Sequence, residues 1–349
     1  MNEIFMYAKA FLLCLISLNL NCISYLYHVS SEQIKTVLNR KLISDIIQSE
    51  TTDSEKKKKL ALIEKVREFA IREIKLHGSG GFIYYSELPR EEVGWNVSAS
   101  YPLKFESYTW WFPFAGRVPY KGFFDKPKAF DEEKKLIEQG LDTRVRITAG
   151  YSTLGWFSDP VFSPQLRMSE EDLVSLVIHE LTHATVYFPG DSNFNESYAS
   201  FVEEIGTEKF YRNYDSEKTK VIFEKRNKRK AESNFIISEV KKTAEKLKTL
   251  YADNALSDSE KILNKGKIIG EYKQVIIENK SKFEKFDIEK FKLQKMNNEN
   301  FIGILRYHSG VKFFKETFAK VDGDFLKFHA AIRNVQDLTK ENREKLLID

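Results

Sequence analysis

Apolar positions recur at intervals of three and four over most of the chain, the spacing of amphipathic helices. From Tyr25 to Leu76 the pattern reads as helical. Ile34, Val37, Leu38, Leu42 and Ile46 share one face, and Leu62, Val66, Phe69, Ala70 and Ile74 share another. Asp53-Ser54-Glu55 looks like a helix start, with Lys56 to Lys59 as its solvated side. Gly78 to Gly81 ends this part. Phe82 to Tyr85, Val93 to Ser100, Tyr108 to Phe114 and Val118 to Phe124 then carry strand-forming residues with turn residues between them. Asp125 to Gln139 returns to helical spacing before Gly140, and Arg144 to Ala149 alternates as a strand.

The clearest helix begins at Ser169, a fitting N-cap. Glu170, Glu171 and Asp172 suit the positive end of its dipole, and Leu173, Leu176, Val177 and Leu181 form its apolar stripe. Pro189-Gly190-Asp191 ends it, and Asn195-Glu196 opens a further helix with Tyr198, Phe201, Val202 and Ile205 on one side. From Tyr211 to Lys295 the composition shifts to Lys, Glu and Asn. Stripes at Ile236, Val240, Ala244, Leu247 and Tyr251, and at Ile262, Ile269, Tyr272 and Ile276, flank residues 252–255 and predict a long helical hairpin. The basic run Lys225 to Lys230 has no interleaved aromatics and reads as solvated. Residues 297–349 are again aromatic-rich, and Tyr307 and His308 are candidates to reach back to a cleft. The expected organisation is an α+β chain: an export segment over 1–21, a core with N-terminal helices over 22–210, and a mainly helical region over 211–349.

With 349 residues and 42% apolar content the chain can bury a substantial core. A net charge of +4 is too small to imply a nucleic-acid partner. Lys9 followed by the apolar run Ala10 to Leu20 reads as an export signal, too short for a comfortable membrane span. The two cysteines, Cys14 and Cys22, sit at the N-terminus, so the chain beyond Cys22 can form no internal disulfide. Cys22 follows Leu18-Asn19-Leu20-Asn21, a degenerate form of a lipidation site in which Asn19 and Asn21 depart from the usual small residues. Ordinary cleavage or a retained anchor is the alternative.

His179, Glu180 and His183 make a complete H-E-x-x-H. On a helix the two histidines stand one turn apart on one face and can share a metal ion. Glu180, about 100° round the helix, can act as general base on water there. Zinc in a hydrolytic site takes three protein ligands, and Glu196, separated from His183 by twelve residues and in a helix able to fold back, is the third candidate. Chance would place this motif in roughly one such sequence in a hundred.

H-E-L-T-H followed by F-N-E-S-Y-A-S-F-V-E-E resembles the zinc-binding unit of the glutamate-type zinc peptidases, and N-E-x-x-A-x-x-x-E the zinc aminopeptidases in particular. The segment from about Val66 to Gly206 resembles the bacterial predicted-aminopeptidase family of secreted or lipid-anchored zinc proteins. Trp95-Asn96-Val97, Trp111 to Asp125, Tyr151 to Phe157 and Asp159-Pro160 carry that match, which runs weakly to the C-terminus. It implies a zincin-like core, zinc held by His179, His183 and Glu196, and Glu180 as the catalytic carboxylate. In peptidases of this type an edge strand before the zinc helix pairs with bound peptide, which makes Arg144 to Ala149 the candidate. The family pattern implies a cysteine pair where this chain has Trp111 and Arg117, so packing must hold that loop. Tyr151 is either an oxyanion donor or a core aromatic. Glu203, seven residues past Glu196, either orients a ligand, binds a substrate amine or is solvated.

These readings describe an exported, cell-envelope zinc metallopeptidase, an aminopeptidase acting on peptides, tethered to a bacterial membrane through Cys22. The rival is a non-catalytic lipoprotein, a binding or scaffold protein with structural zinc. Labelled fatty acid should appear on the expressed protein and vanish in Cys22→Ser. An unlabelled wild type would leave plain cleavage or a retained anchor.

Overall fold

The computed structural model describes residues 39–348 apart from 79–80, 113–114, 149–157, 215 and 285–286. The export segment, Cys22 and Tyr151 thus lie outside the described residues. Among those described, no helix is long and apolar enough to cross a membrane.

The described chain opens with strand β1 (Lys41–Leu42) and helices α1 (Ile43–Gln48) and α2 (Ser54–Arg72). The helical face expected through Leu42 is broken here. Lys41 and Leu42 pair antiparallel with Tyr85 and Tyr84 of β2 (Tyr84–Ser86), and pairing with this distant segment overrides the local period. Leu42 is left exposed while Ile43 and Ile46 turn into the core. Helix α2 forms as its sequence directs: Asp53 caps it by accepting from Lys56 N, and Leu60, Ile63, Val66, Phe69 and Ala70 are buried. Lys59 departs from the solvated side, donating to the carbonyls of Leu166 and Met168.

Next come β3 (Gly94–Ser100), the hairpin of β4 (Trp110–Phe112) and β5 (Gly116–Val118), β6 (Tyr120–Phe123), α3 (Lys126–Glu138) and β7 (Asp142–Thr148). Strands β6, β3 and β7 form an antiparallel sheet in that order, which puts β7 at an edge. Helix α3, capped by Asp125, packs Ala129 and Leu136 against Trp95, Val97, Ala99 and Phe123. Strand β8 (Val161–Phe162) joins β2 in parallel.

Helices α4 (Glu170–Thr185) and α5 (Ser192–Tyr214) run antiparallel through the main core. Two boundaries differ from expectation. Helix α4 stops at Thr185, before the Pro-Gly turn, with Val186 already extended. Helix α5 starts at Ser192 because Asp191 caps it, its Oδ1 accepting from Phe194 N at 3.3 Å. Glu196 therefore lies in the second turn of α5, not the first.

The long hairpin is present as α6 (Ser216–Ala252) and α7 (Asp258–Glu278), the latter opened by a Ser257–Glu260 capping box. After α8 (Ile288–Leu293) comes α9 (Asn298–Leu305), whose Phe301 packs with Val240, Leu247, Ile269, Tyr272 and Ile276 of the hairpin. Helices α10 (Val311–Lys320), α11 (Phe325–Asn334) and α12 (Lys340–Leu346) return to the main core, with Phe314, Phe328 and Ile332 fully buried there. The chain is mixed α+β, dominated by helix with small sheets.

His329 fixes α11 to this core. Its Nε2–H donates to Ile74 O at 2.8 Å, and its Nδ1 accepts from the Tyr198 hydroxyl at 2.6 Å. Burial outweighs the pull of the Ile74 carbonyl and lowers the ring's pKa to about 4. A neutral ring in the fold and an ordinary one near 6.5 in the unfolded chain make its contribution complete above pH ~6.5. It is lost as pH falls to about 4, a span worth roughly 3 kcal/mol. Denaturant unfolding across this window should show that loss, and His329→Gln should flatten the slope. An unchanged slope in the variant would exclude His329 as the cause.

Candidate metal centre

The centre is built on the turn between α4 and α5. Asn195 holds that turn from within α5, its Nδ2 donating to Phe188 O at 2.8 Å and its Oδ1 accepting from Phe188 N at 2.9 Å. Asp191 is buried and takes a second bond from Arg343 Nε of α12 at 2.8 Å. Contacts then run in antiparallel register: Ser175 faces Thr207, His179 faces Glu203, and His179 and His183 face Glu196.

His179 Nε2 and His183 Nε2 lie 3.2 Å apart, and Glu196 Oε2 lies 3.4 Å from the first and 3.7 Å from the second. Tetrahedral ligands at the usual 2.0–2.1 Å from zinc stand about 3.3 Å from one another. The sequence's three ligand candidates thus form a group that could hold a metal ion, with His183 and Glu196 buried and His179 half-buried. The donor chemistry fits as well. Glu203 Oε2 sits 3.0 Å from His179 Nδ1, which places the ring's proton there and turns the Nε2 lone pair inward. Two such nitrogens at 3.2 Å repel unless a cation lies between them. The surroundings also favour positive charge. Burial opposes the His179 imidazolium, but Glu196 and Glu203 outweigh it and hold its pKa well above the usual histidine value. Burial likewise works to raise the Glu196 carboxyl, yet hydrogen bonds with both histidines hold it far below the usual range. His183 Nδ1 is buried with no partner among the described residues.

The group opens on a cleft of about 1370 Å³ that Glu180, Glu203, Tyr307 and His308 also line. Glu203 is not merely solvated: it bonds His179 and also lines the cleft. Arg146, Ile147 and Thr148 bring edge strand β7 to the same cleft. Tyr120 and Tyr187 line it too, and neither was singled out in the sequence, since folding alone brings them to the cleft. Burial and the Glu196 charge raise the Tyr187 pKa to about 12 and hold that of Tyr120 well above the usual tyrosine value, so both keep their protons. Arg146 Nη2 donates to Tyr307 Oη at 3.0 Å.

Two surface readings change. The run from Lys225 to Lys230 is not merely solvated: Lys225, Arg226 and Arg229 lie within 3.5 to 3.6 Å of the buried Glu171 carboxylate at the start of α4. Arg229 also reaches Asp172, and Lys230 pairs with Glu204. A carboxylate taken out of water requires such partners, so α6 clasps the helix that carries the histidines. Trp111 and Arg117, where a cysteine pair was implied, face each other across β4 and β5. The hairpin tip is held by backbone instead: Gly190 N donates to Ala115 O at 2.8 Å. A Cβ on Gly116 would come within 2.9 Å of Gly190 N, and φ is positive at both glycines, so both loops need glycine there.

A family model described as "Putative aminopeptidase" matches residues 24–347. No curated protein and no solved structure matches the chain.

Purified protein should hold about one zinc per chain by elemental analysis. His179→Ala, His183→Ala and Glu196→Ala should each lose it, whereas Glu203→Ala should weaken affinity by about 10- to 100-fold, the scale for an orienting partner. Full retention in Glu196→Ala would remove that residue from the ligand set.

Proposed function

This chain belongs to the putative aminopeptidase family, and from that premise we propose that it is a zinc-dependent peptidase acting as an aminopeptidase. The observation that carries the reading is the convergence of His179, His183 and Glu196 at tetrahedral spacing, with Glu180 on the wall of the same cleft. His179, His183 and Glu196 would hold the ion, in a zincin-like arrangement of helices. When bound, zinc supplies a Lewis acid that makes water more acidic and polarises a carbonyl.

The remaining steps belong to the chain's own groups. Glu180 takes the proton of the attacking water and delivers it to the leaving amine. Glu203 keeps His179 in one tautomer and orientation. Strand β7, at the sheet edge and on the cleft, offers backbone for an extended peptide to pair with. Tyr120 and Tyr187 keep their protons and remain available as hydrogen-bond donors to developing negative charge. Glu203 is a carboxylate on the cleft wall suited to a charged peptide amine, whereas its neighbour Glu204 is paired with Lys230. Export and tethering through Cys22 belong to the same proposal and rest on the N-terminal sequence alone.

Glu180→Gln keeps size and shape but cannot accept a proton. It should fold, retain zinc and lose hydrolysis by at least about a hundredfold, the scale of a general base. Peptides with a free amino terminus should be cleaved and their N-acetylated forms left intact. Cleavage of both would make the protein an endopeptidase, and cleavage of neither by zinc-loaded wild type would favour the scaffold.

A further inference from the structure

Alternation along β7 puts Arg144 and Arg146 on one face of the strand. Helix α9 meets them with Glu299, Gly303 and, at its end, Arg306, residues spaced to share a helix face. A Cβ at Gly303 would stand 3.4 Å from Arg144 Nη1, so glycine leaves room for that guanidinium. Arg306 is 1% exposed and Glu299 fully buried. Arg306 Nη2 lies 3.3 Å from Glu299 Oε1 and 3.3 Å from Ser107 Oγ, while Arg306 Nε and Nη1 and the second Glu299 oxygen have no partner among the described residues. Three guanidiniums therefore gather around one interior carboxylate. Glu196, whose charge also reaches Arg146, is already engaged by the two histidines. The buried Arg306 and Glu299 balance one another, so Arg144 and Arg146, both half-buried, leave positive charge over beside them, and that favours an anion.

Of the three arginines, Arg146 is the one that lines the cleft among the described residues. Its Nη2 donates to Tyr307 and its guanidinium lies 5.3 Å from the centre of that ring, while no hydrogen bond from Nε or Nη1 is seen among the described residues. A planar guanidinium with donors to spare matches the fork of a carboxylate. We propose that Arg146, backed by Arg144 and Arg306, is a subsite for a carboxylate of the bound peptide, either the free C-terminus of a short peptide or an acidic side chain. This rests on the peptidase reading above and narrows its substrates to short or acidic peptides.

Binding can be read without turnover. Zinc-loaded Glu180→Gln protein is titrated by calorimetry with trialanine, with its C-terminal amide, and with that amide carrying glutamate at the second position. At least one carboxylate peptide should bind about tenfold or more tighter than the neutral amide, and which one identifies the carboxylate used. Adding Arg146→Gln should erase the preference, and Arg146→Lys, which keeps the charge but not the fork, should keep part of it. Zinc content and melting temperature establish that the variants are folded. Equal binding of all three peptides, or a preference that survives Arg146→Gln in folded protein, overturns the subsite. Equal loss of kcat toward charged and neutral peptides in an otherwise wild-type Arg146→Gln protein, with KM unchanged, would also overturn it and assign Arg146 to the reacting carbonyl. Should wild type cleave none of these peptides while the binding preference holds, the peptidase reading fails and the subsite stands.

Discussion

A carboxylate held out of water between two imidazoles sets the terms for this molecule. Glu196 is stable as an anion only where positive charge or hydrogen-bond donors meet it, and His179 and His183 meet it from the neighbouring helix. That requirement fixes the register of α4 against α5 along their length, from Ser175 opposite Thr207 down to the turn that Asn195 clamps. Helix α12 is tied in by Arg343 on Asp191 and α11 by His329 on Tyr198, so distant parts of the chain brace the same two helices.

Charge is apportioned around this pair by sign. The acidic start of α4 is met by the basic run of α6, and Arg146 of β7 lines the cleft near Glu196. The first helps to place the histidine-bearing helix. The second leaves donors over, and it is the surplus rather than the pairing that gives a cleft a preference for one kind of ligand.

The local part of this was legible in the residues. Ser169 caps the helix it was expected to cap, Asp53 and Asp125 stand as caps at helix starts read there, and the stripes of the α6–α7 hairpin became its buried side, Ile262 excepted. His179, His183 and Glu196 could be selected because helical spacing is local geometry and the connecting segment is short. What escaped was set by distant partners. Leu42 left its helical stripe for a pairing with Tyr84, and the Lys225 to Lys230 run was given its role by Glu171, more than fifty positions earlier. Arg146 belonged to a strand the sequence did mark, but its surplus donors emerge only when Tyr307 and Glu299 come into place. Asp191 moved the start of α5 because its carboxylate caps Phe194 N, while the Asn195 side chain is taken up by both backbone groups of Phe188.

The contact between Gly116 and Gly190 has a bearing on where the protein can work. A loop clasped by peptide groups rather than sulfur carries no bond that a reductant can cleave or an oxidant must form. With no thiol anywhere beyond Cys22, residues 23–349 can acquire their fold without an oxidase or a disulfide isomerase, and they cannot be trapped in a wrong cysteine pairing. The redox poise of the surroundings drops out as a variable for the folding of this chain.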